Sequence, residues 1–252
     1  MVAPPHPGAL WIVRHGQSKG NLARETAESA QGEEVIDIGG RDADVPLSDL
    51  GESQARAFGR WLKDQPPERR PAAVVCSPFL RTRQTAELLL DEAGGALGRV
   101  EVDFDERLRD RELGVLDTLT TAGVLARHPQ EAERRKLLGK FYHRPPGGES
   151  WSDVCLRLRS ILVDLHRLHG KERVLLVTHE VPVLLVRYLL EGMSEQEVLA
   201  LGRATEYANC GLTSYDLGAD GELQLSAFNY TVPVEQQGER VTEESDAPVG
   251  PR

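Results

Sequence analysis

Residues 11–21 read Trp-Ile-Val-Arg-His-Gly-Gln-Ser-Lys-Gly-Asn. An apolar run stops abruptly at Arg14 and His15, and Gly16 follows at once. That order puts a cation and an imidazole at the end of a buried strand, where a glycine lets the backbone turn sharply and approach a ligand closely. An imidazole in such a place is a nucleophile, a metal ligand or a strand-end histidine with no chemical role.

The choice rests on what other elements bring to the same place. Five short apolar runs, residues 9–13, 72–76, 100–103, 173–177 and 212–216, read as buried strands. Residues 223–229 alternate in the manner of an edge strand. Helical spacing fills residues 48–63 with Ser48 as N-cap, then 78–92, 120–138, 151–168 after Ser150, 182–191 and 194–201. Residues 21–45 are polar and lack a period, which predicts a long loop with at most one helical turn. Strands alternating with helices predict an α/β fold, a mostly parallel sheet flanked by helices on both faces. Residues 1–230 read as a single domain with a helical lid insertion at roughly 104–150. Residues 231–252, acidic and poor in large apolar side chains, read as a disordered tail.

In open α/β sheets, ligands bind beyond the carboxyl ends of the strands. After the first strand come Arg14, His15, Ser18 and Asn21. After the second, Arg81 falls in the first turn of a helix, where free backbone amides favour anions. The segment after the third carries Arg107, Arg109, Asp110, Arg111 and Glu112, and the fourth is followed by Thr178, His179 and Glu180. Each has a bland reading when taken alone: Arg81 as part of a charged helix face, His179 as a core histidine, Asp110 and Glu112 as surface charge. Their joint arrival at strand ends is what points to a site.

Two guanidiniums supply forked donors that match a phosphoryl group, whose transfer depends mostly on positioning and charge stabilisation. A neutral imidazole attacks phosphorus, and neighbouring arginines disfavour a second positive charge on it. A carboxylic acid is then needed to protonate the leaving oxygen and afterwards to deprotonate water. Two histidines and a carboxylate also suit a metal, but two adjacent arginines would repel a dication.

Bulk properties narrow the partners. The 252 residues are 40% hydrophobic and 28% charged, which fits an ordinary globular protein. A net charge of -10 speaks against nucleic acid and anionic membranes as partners, so a phosphate site must be a local basic pocket. Cys76, Cys155 and Cys210 are odd in number and widely spaced, as reduced thiols are. Residues 1–9 lack a signal-peptide pattern. The most apolar stretch, residues 174–190, contains Thr178, His179, Glu180, Pro182 and Arg187 and does not read as a membrane span. A cytoplasmic location is expected; oligomeric state is left open.

With these pieces in place the chain resembles the histidine phosphatase superfamily, in its phosphoglycerate-mutase-like branch. The matching residues are Arg14-His15-Gly16-Gln17-Ser18 with Asn21, Pro46-Leu47-Ser48 with Gly51, Gln54 and Ala55, and the run from Ser77 through Ala86. They continue with Leu108 to Gly114, Pro146-Gly147-Gly148-Glu149-Ser150, Val177-Thr178-His179 and Asn209-Cys210. The resemblance implies a phosphohistidine on His15, with Arg14, Arg81 and His179 holding phosphoryl oxygens. It implies that Asn21, Ser18 and Gln17 help bind substrate, and that neither metal nor other cofactor is needed.

Two positions depart from the family pattern. The family's proton donor is usually glutamate, four residues before a glycine; here that position is Asp110, with Glu112 as a rival. A small residue usually follows the second histidine, whereas here it is Glu180. The resulting expectation is a phosphatase acting on a small phosphorylated metabolite. The alternatives are a phosphoglycerate-mutase-type phosphotransferase and a catalytically weak, phosphate-binding regulatory protein. Hydrolysis is favoured because the chain lacks a long insertion like that of the cofactor-dependent mutases. Residues 127–144, rich in Arg and Lys, read either as a solvated helix or as a lid that reads a second anionic group.

Overall fold

Period-two side-chain alternation in four continuous apolar runs gives the molecule two cores, one on each face of a single sheet. The computed structural model describes residues 6–243, apart from 31 and 99. Its strands are β1 (Ala9–Arg14), β2 (Ala73–Cys76), β3 (Val102–Phe104), β4 (Arg173–Thr178), β5 (Leu212–Leu217) and β6 (Leu223–Tyr230). They lie in the order β3-β2-β4-β1-β5-β6. The first four are mutually parallel; β5 runs antiparallel to β1, and β6 antiparallel to β5. The sheet is thus mixed, with a parallel majority, as expected.

Helices, in chain order, are α1 (Lys19–Ser29), α2 (Asp49–Asp64), α3 (Leu80–Ala93), α4 (Thr121–Arg127), α5 (Pro129–Tyr142), α6 (Trp151–His169), α7 (Glu180–Leu190), α8 (Glu195–Ala204) and α9 (Val232–Glu235). Leu10 and Ile12 of β1, Val75 of β2 and Val174 and Leu176 of β4 point to one face and pack on α6 and α7 through Val154, Leu158, Ile161 and Leu184. The intervening Trp11, Val13, Val74, Leu175 and Val177 point to the other face and meet Phe58, Trp61 and Leu62 of α2 and Leu89 of α3. A strand buried on both faces needs apolar side chains at every position, which is why these runs are continuous.

Three expectations are corrected. Residues 21–45 are not all loop, because α1 occupies Lys19–Ser29. Its start was encoded: the Ser18 hydroxyl accepts from the Asn21 amide while the Asn21 side chain accepts from the Ser18 amide, a reciprocal cap. The helix has no apolar stripe, with only Asn21 and Ala27 buried, so periodicity could not reveal it.

The single helix expected over 120–138 is instead two, α4 and α5. Pro129 has no N–H to continue the first and disfavours helical backbone at His128, which takes φ -135°, ψ 53°.

The chain beyond residue 230 is not wholly a tail. Pro233 and Val234 of α9 are buried, and Val234 joins the core beside α2. Gln54 Nε2 donates to the Arg240 carbonyl and to Thr242 Oγ1, and the Asn209 amide donates to the Thr242 carbonyl. Pro233, Val234 and Val241 and a set of hydrogen bonds anchor this segment, although its composition is that of a tail. The remainder of the expected tail, 244–252, lies outside the described residues.

Between β3 and α6, residues 105–150 form the insertion that carries α4 and α5. It has its own small cluster of Leu113, Leu116, Leu119, Val124 and Ala132, against which Val35 packs. No helix among the described residues is long and apolar enough to cross a membrane.

Candidate active site

Strand register determines which side chains can meet. Val13 of β1 and Cys76 of β2 both lie level with Val177 of β4, so Arg14-His15, Ser77 and Thr178-His179 emerge together. Two further hydrogen bonds fix the exits, from the His15 amide to the Thr178 carbonyl at 2.9 Å and from the Ser77 amide to the Val177 carbonyl at 3.0 Å. The loop after His15 is seated directly on the first turn of α2. A Cβ on Gly51 would lie 2.0 Å from the Gln17 carbonyl oxygen, and one on Gly16 would lie 2.4 Å from the Gly51 carbonyl oxygen. Neither glycine can be replaced without moving the loop that follows His15.

His15 is fully buried. Its Nδ1 lies 2.7 Å from the Gly16 carbonyl oxygen, which can only accept, so Nδ1 carries the proton and Nε2 presents its lone pair. Arg81 Nε donates to that Nε2 at 3.3 Å. The Asn209 side-chain amide donates to the His15 carbonyl at 3.1 Å and the Cys210 amide to the Arg14 carbonyl at 3.1 Å, bracing the backbone of Arg14 and His15 from the turn before β5. Burial pushes the Cys210 thiol up to about 12, so it stays protonated in this role.

The other expected residues converge to different degrees. Arg81 lies in the first turn of α3, stacked at 5.0 Å on Phe79, with its outer nitrogens donating to Asp42 Oδ1 at 3.2 Å and Oδ2 at 3.0 Å. His179, the N-cap of α7, is fully buried; its ring is 5.2 Å from that of His15, and its Nε2 is 2.8 Å from Ser77 Oγ. Asp110 Oδ2 stands 3.6 Å from Arg81 Nη2 and 3.8 Å from His179 Nδ1, so its carboxyl belongs to the same cluster. Arg14 is buried, with Nη1 donating to the Tyr207 carbonyl. Ser18 and Asn21 line the adjoining pocket beside Arg81 and Asp110.

Two expectations fare differently. Gln17 does not line that pocket; its Oε1 accepts from Ser48 Oγ at 2.8 Å and its amide donates to Gln54, so it locks the His15 loop onto α2. Glu112 is exposed, its carboxylate lies 3.5 Å from Arg109 Nε, and it does not line the pocket that Asp110 shares with Arg81. An extended segment would have put residues 110 and 112 on one face. The chain is instead irregular here, following a 3-10 turn at Glu106–Leu108.

What holds Asp110 in place is a network that the sequence did not disclose. Arg157 of α6 donates to the carbonyls of Arg107, Arg109 and Asp110 at 2.6, 2.8 and 3.0 Å. It is itself fixed by two hydrogen bonds of 3.0 Å to Glu149, which also accepts from Arg109 and from the Glu112 amide. Thr178 Oγ1 ties the same segment to β4 through the Leu108 carbonyl. Arg157 is therefore a positioning residue. Arg157→Met is expected to lower kcat on an alkyl phosphate by about 10- to 100-fold through displacement of Asp110, while the first-turnover burst of p-nitrophenol from p-nitrophenyl phosphate keeps its rate. Rapid-mixing kinetics on the two substrates checks this, since general destabilisation would diminish the burst as well. Arg24 and Asp42 also line the pocket and were not anticipated, because α1 and the turn at Asp42–Asp44 lay in the expected loop.

Among the described residues no group of three or more His, Cys, Asp or Glu side chains could hold a metal ion. The cluster instead presents guanidinium and imidazole groups, with the Asp110 carboxyl beside both histidine-bearing strand ends and Asp42 on the outer side of Arg81. It can bind a tetrahedral oxyanion, offer a neutral imidazole nitrogen to it and supply a proton beside it.

The family model of the histidine phosphatase superfamily (branch 1) matches residues 10–231. The 2,3-bisphosphoglycerate-dependent phosphoglycerate mutase of Methylorubrum extorquens is 31% identical over 198 residues, 78% of this chain and 85% of that enzyme. The 6-phosphofructo-2-kinase/fructose-2,6-bisphosphatase of Caenorhabditis elegans is 29% identical over 174 residues, 69% of this chain; the match spans about a third (32%) of that protein's length. Among solved structures, mycobacterial glucosyl-3-phosphoglycerate phosphatase in complex with VO3 has a TM-score of 0.66 at 27% identity, covering 88% of this chain and 99% of that one. Alpha-ribazole phosphatase from Shigella flexneri shares the fold, with a TM-score of 0.68 at 19% identity over 88% of this chain and 96% of its own. Fold, strand-end cluster and relatives agree: the chain belongs to the histidine phosphatase superfamily, branch 1.

Proposed function

We propose that the protein is a metal-independent phosphatase that hydrolyses a small phosphomonoester through a phosphohistidine on His15. One observation carries this reading: His15 has its Nδ1 proton committed to the Gly16 carbonyl and its Nε2 turned to Arg81, within the cluster that also holds His179 and Asp110. Nε2 attacks phosphorus and the bond from phosphorus to the alcohol oxygen breaks. Asp110, protonated, gives its proton to that oxygen. As the ring becomes cationic, its Nδ1–H bond to the carbonyl strengthens, which stabilises the phosphoryl intermediate. Water then attacks phosphorus, Asp110 takes up its proton, and phosphate leaves with His15 restored. Arg14, Arg81 and His179 hold the phosphoryl oxygens throughout, and Ser18 and Asn21 line the approach.

The 31% identity to a phosphoglycerate mutase supports a second reading, in which the phosphoryl group returns to substrate instead of passing to water. Incubation with 3-phosphoglycerate separates the two. The expected result is stoichiometric release of inorganic phosphate and glycerate. Accumulation of 2-phosphoglycerate with little free phosphate would establish the mutase reading instead.

A further inference from the structure

A guanidinium is a rigid plane with two forked edges, the side-on pair Nε and Nη2 and the end-on pair Nη1 and Nη2. In Arg81 the end-on edge belongs to Asp42. Nη1 donates to Oδ1 at 3.2 Å and Nη2 to Oδ2 at 3.0 Å, and Nη1 donates also to the Asp42 carbonyl at 2.8 Å. The side-on edge is thereby turned towards the reaction centre, with Nε 3.3 Å from His15 Nε2 and Nη2 3.6 Å from Asp110 Oδ2. Because the group is planar, gripping the outer edge sets the direction of the inner one.

The turn that carries Asp42 is itself tied to the elements that carry His15 and Arg81. Asp42–Asp44 form a 3-10 turn, closed by the Val45 amide donating to the Asp42 carbonyl at 3.2 Å. Val45 is buried, and a Cβ on Gly20 of α1 would lie 3.3 Å from its Cγ1. The Leu47 amide donates at 2.8 Å to Gln84 Oε1, three residues after Arg81 on α3. The Lys19 amide donates to the Pro46 carbonyl at 2.9 Å, and Leu47 bridges to Ser18. Arg41 is engaged by Asp44 at 2.6 and 2.9 Å and does not draw Asp42 away. The Arg81 side chain is 4% exposed and that of Asp42 39%, so water reaches the carboxylate and screens it from the inner edge.

We propose that Asp42 is a positioning residue: it holds Arg81 by its outer edge so that the inner edge stabilises the phosphoryl group as it passes to and from His15 Nε2. This rests on the phosphatase reading and adds to it a carboxylate that handles none of the protons of the reaction. Asp110 moves the protons, and Asp42 aims the charge.

The test compares Asp42→Ala and Asp42→Asn with wild type on p-nitrophenyl phosphate. Single-turnover release of p-nitrophenol and steady-state kcat should both fall, about tenfold or more in Asp42→Ala and by less in Asp42→Asn, which keeps one side-chain acceptor. Inhibition by orthophosphate should stay within about twofold or tighten, because Arg81 keeps its charge and loses a competing carboxylate. In an Arg81→Ala background, Asp42→Ala should change the rate by less than about twofold, since its effect passes through Arg81. A loss of equal size in both backgrounds, or orthophosphate binding that weakens in step with kcat, would overturn the assignment. A rise in kcat/KM in Asp42→Ala would overturn it too, making Asp42 a competitor of the substrate. If wild type hydrolyses no phosphomonoester, the phosphatase reading fails by itself. The grip is then decided by nitrogen-15 NMR of the Arg81 Nε–H, identified by its loss in Arg81→Lys. Its exchange with water should quicken about tenfold or more in Asp42→Ala, and unchanged exchange overturns the proposal.

Discussion

Alanine at position 15 is expected to reduce phosphate release by at least about 10⁴-fold, because no second nucleophile in the cluster can replace an imidazole at that point. His179 is 5.2 Å away ring to ring, but its Nε2 lies against Ser77 Oγ and its backbone caps α7, so it cannot swing into line. The same substitution should leave the fold intact, since the deleted ring lies beside polar groups at strand ends and outside both apolar cores. A covalent test accompanies the kinetic one. Wild type quenched at neutral or alkaline pH during turnover should retain a phosphoryl group that acid removes, the behaviour of a phosphorus–nitrogen bond. His15→Ala should retain none. Full activity in His15→Ala would sink the proposed nucleophile, and a trapped group stable in acid would relocate the covalent step to a hydroxyl.

The parts of this site that could be read from the sequence are those where a local rule and the global arrangement coincide. A strand buried on both faces must be apolar throughout, and the polar residue that ends it stands at the sheet edge. That made Arg14, His15 and His179 visible, and the N-terminal turn of the next helix did the same for Arg81. The resemblance added Asp110 by position. What stayed hidden is non-local. Arg157 lies 47 residues from Asp110 and looks like any other charge on a helix. Its role depends on three carbonyls that converge only once α6 has packed on the sheet. Glu112 was a credible rival because alternation was assumed in a segment that proved irregular. Helix α1 escaped notice because capping chemistry, rather than an apolar stripe, defines it, and Arg24 and the neighbouring Asp42 turn escaped with the same stretch of polar sequence.

Replacing Asp110 with asparagine is expected to lower kcat on an alkyl phosphate by about 10²- to 10⁴-fold, the range for loss of a positioned general acid. Asparagine preserves the size of the side chain and its place between Arg81 and His179, so the loss reports the proton and not the packing. A leaving group such as p-nitrophenolate departs without protonation, and with it the first step should survive. The second step still requires a base for water. Asp110→Asn acting on p-nitrophenyl phosphate should therefore release a rapid burst of about one equivalent of p-nitrophenol, followed by slow turnover while phosphohistidine accumulates. Glu112→Gln should change neither phase, because that carboxylate is exposed beside Arg109. Should Glu112→Gln alone abolish turnover of the alkyl phosphate, the acid is misassigned. A burst in neither variant, with both steps slowed together by Asp110→Asn, would instead mean that Asp110 acts by orienting Arg81 and His179. The aspartate is one methylene shorter than the family's usual glutamate, so its reach depends on how closely the 107–112 segment is drawn in. The three carbonyl contacts of Arg157 and the Thr178 bond to Leu108 draw it in from two sides. Asp110→Glu tests that compensation: in a segment already pulled inward, the longer acid is crowded against Arg81 and should be slower than aspartate, despite being the residue the family prefers.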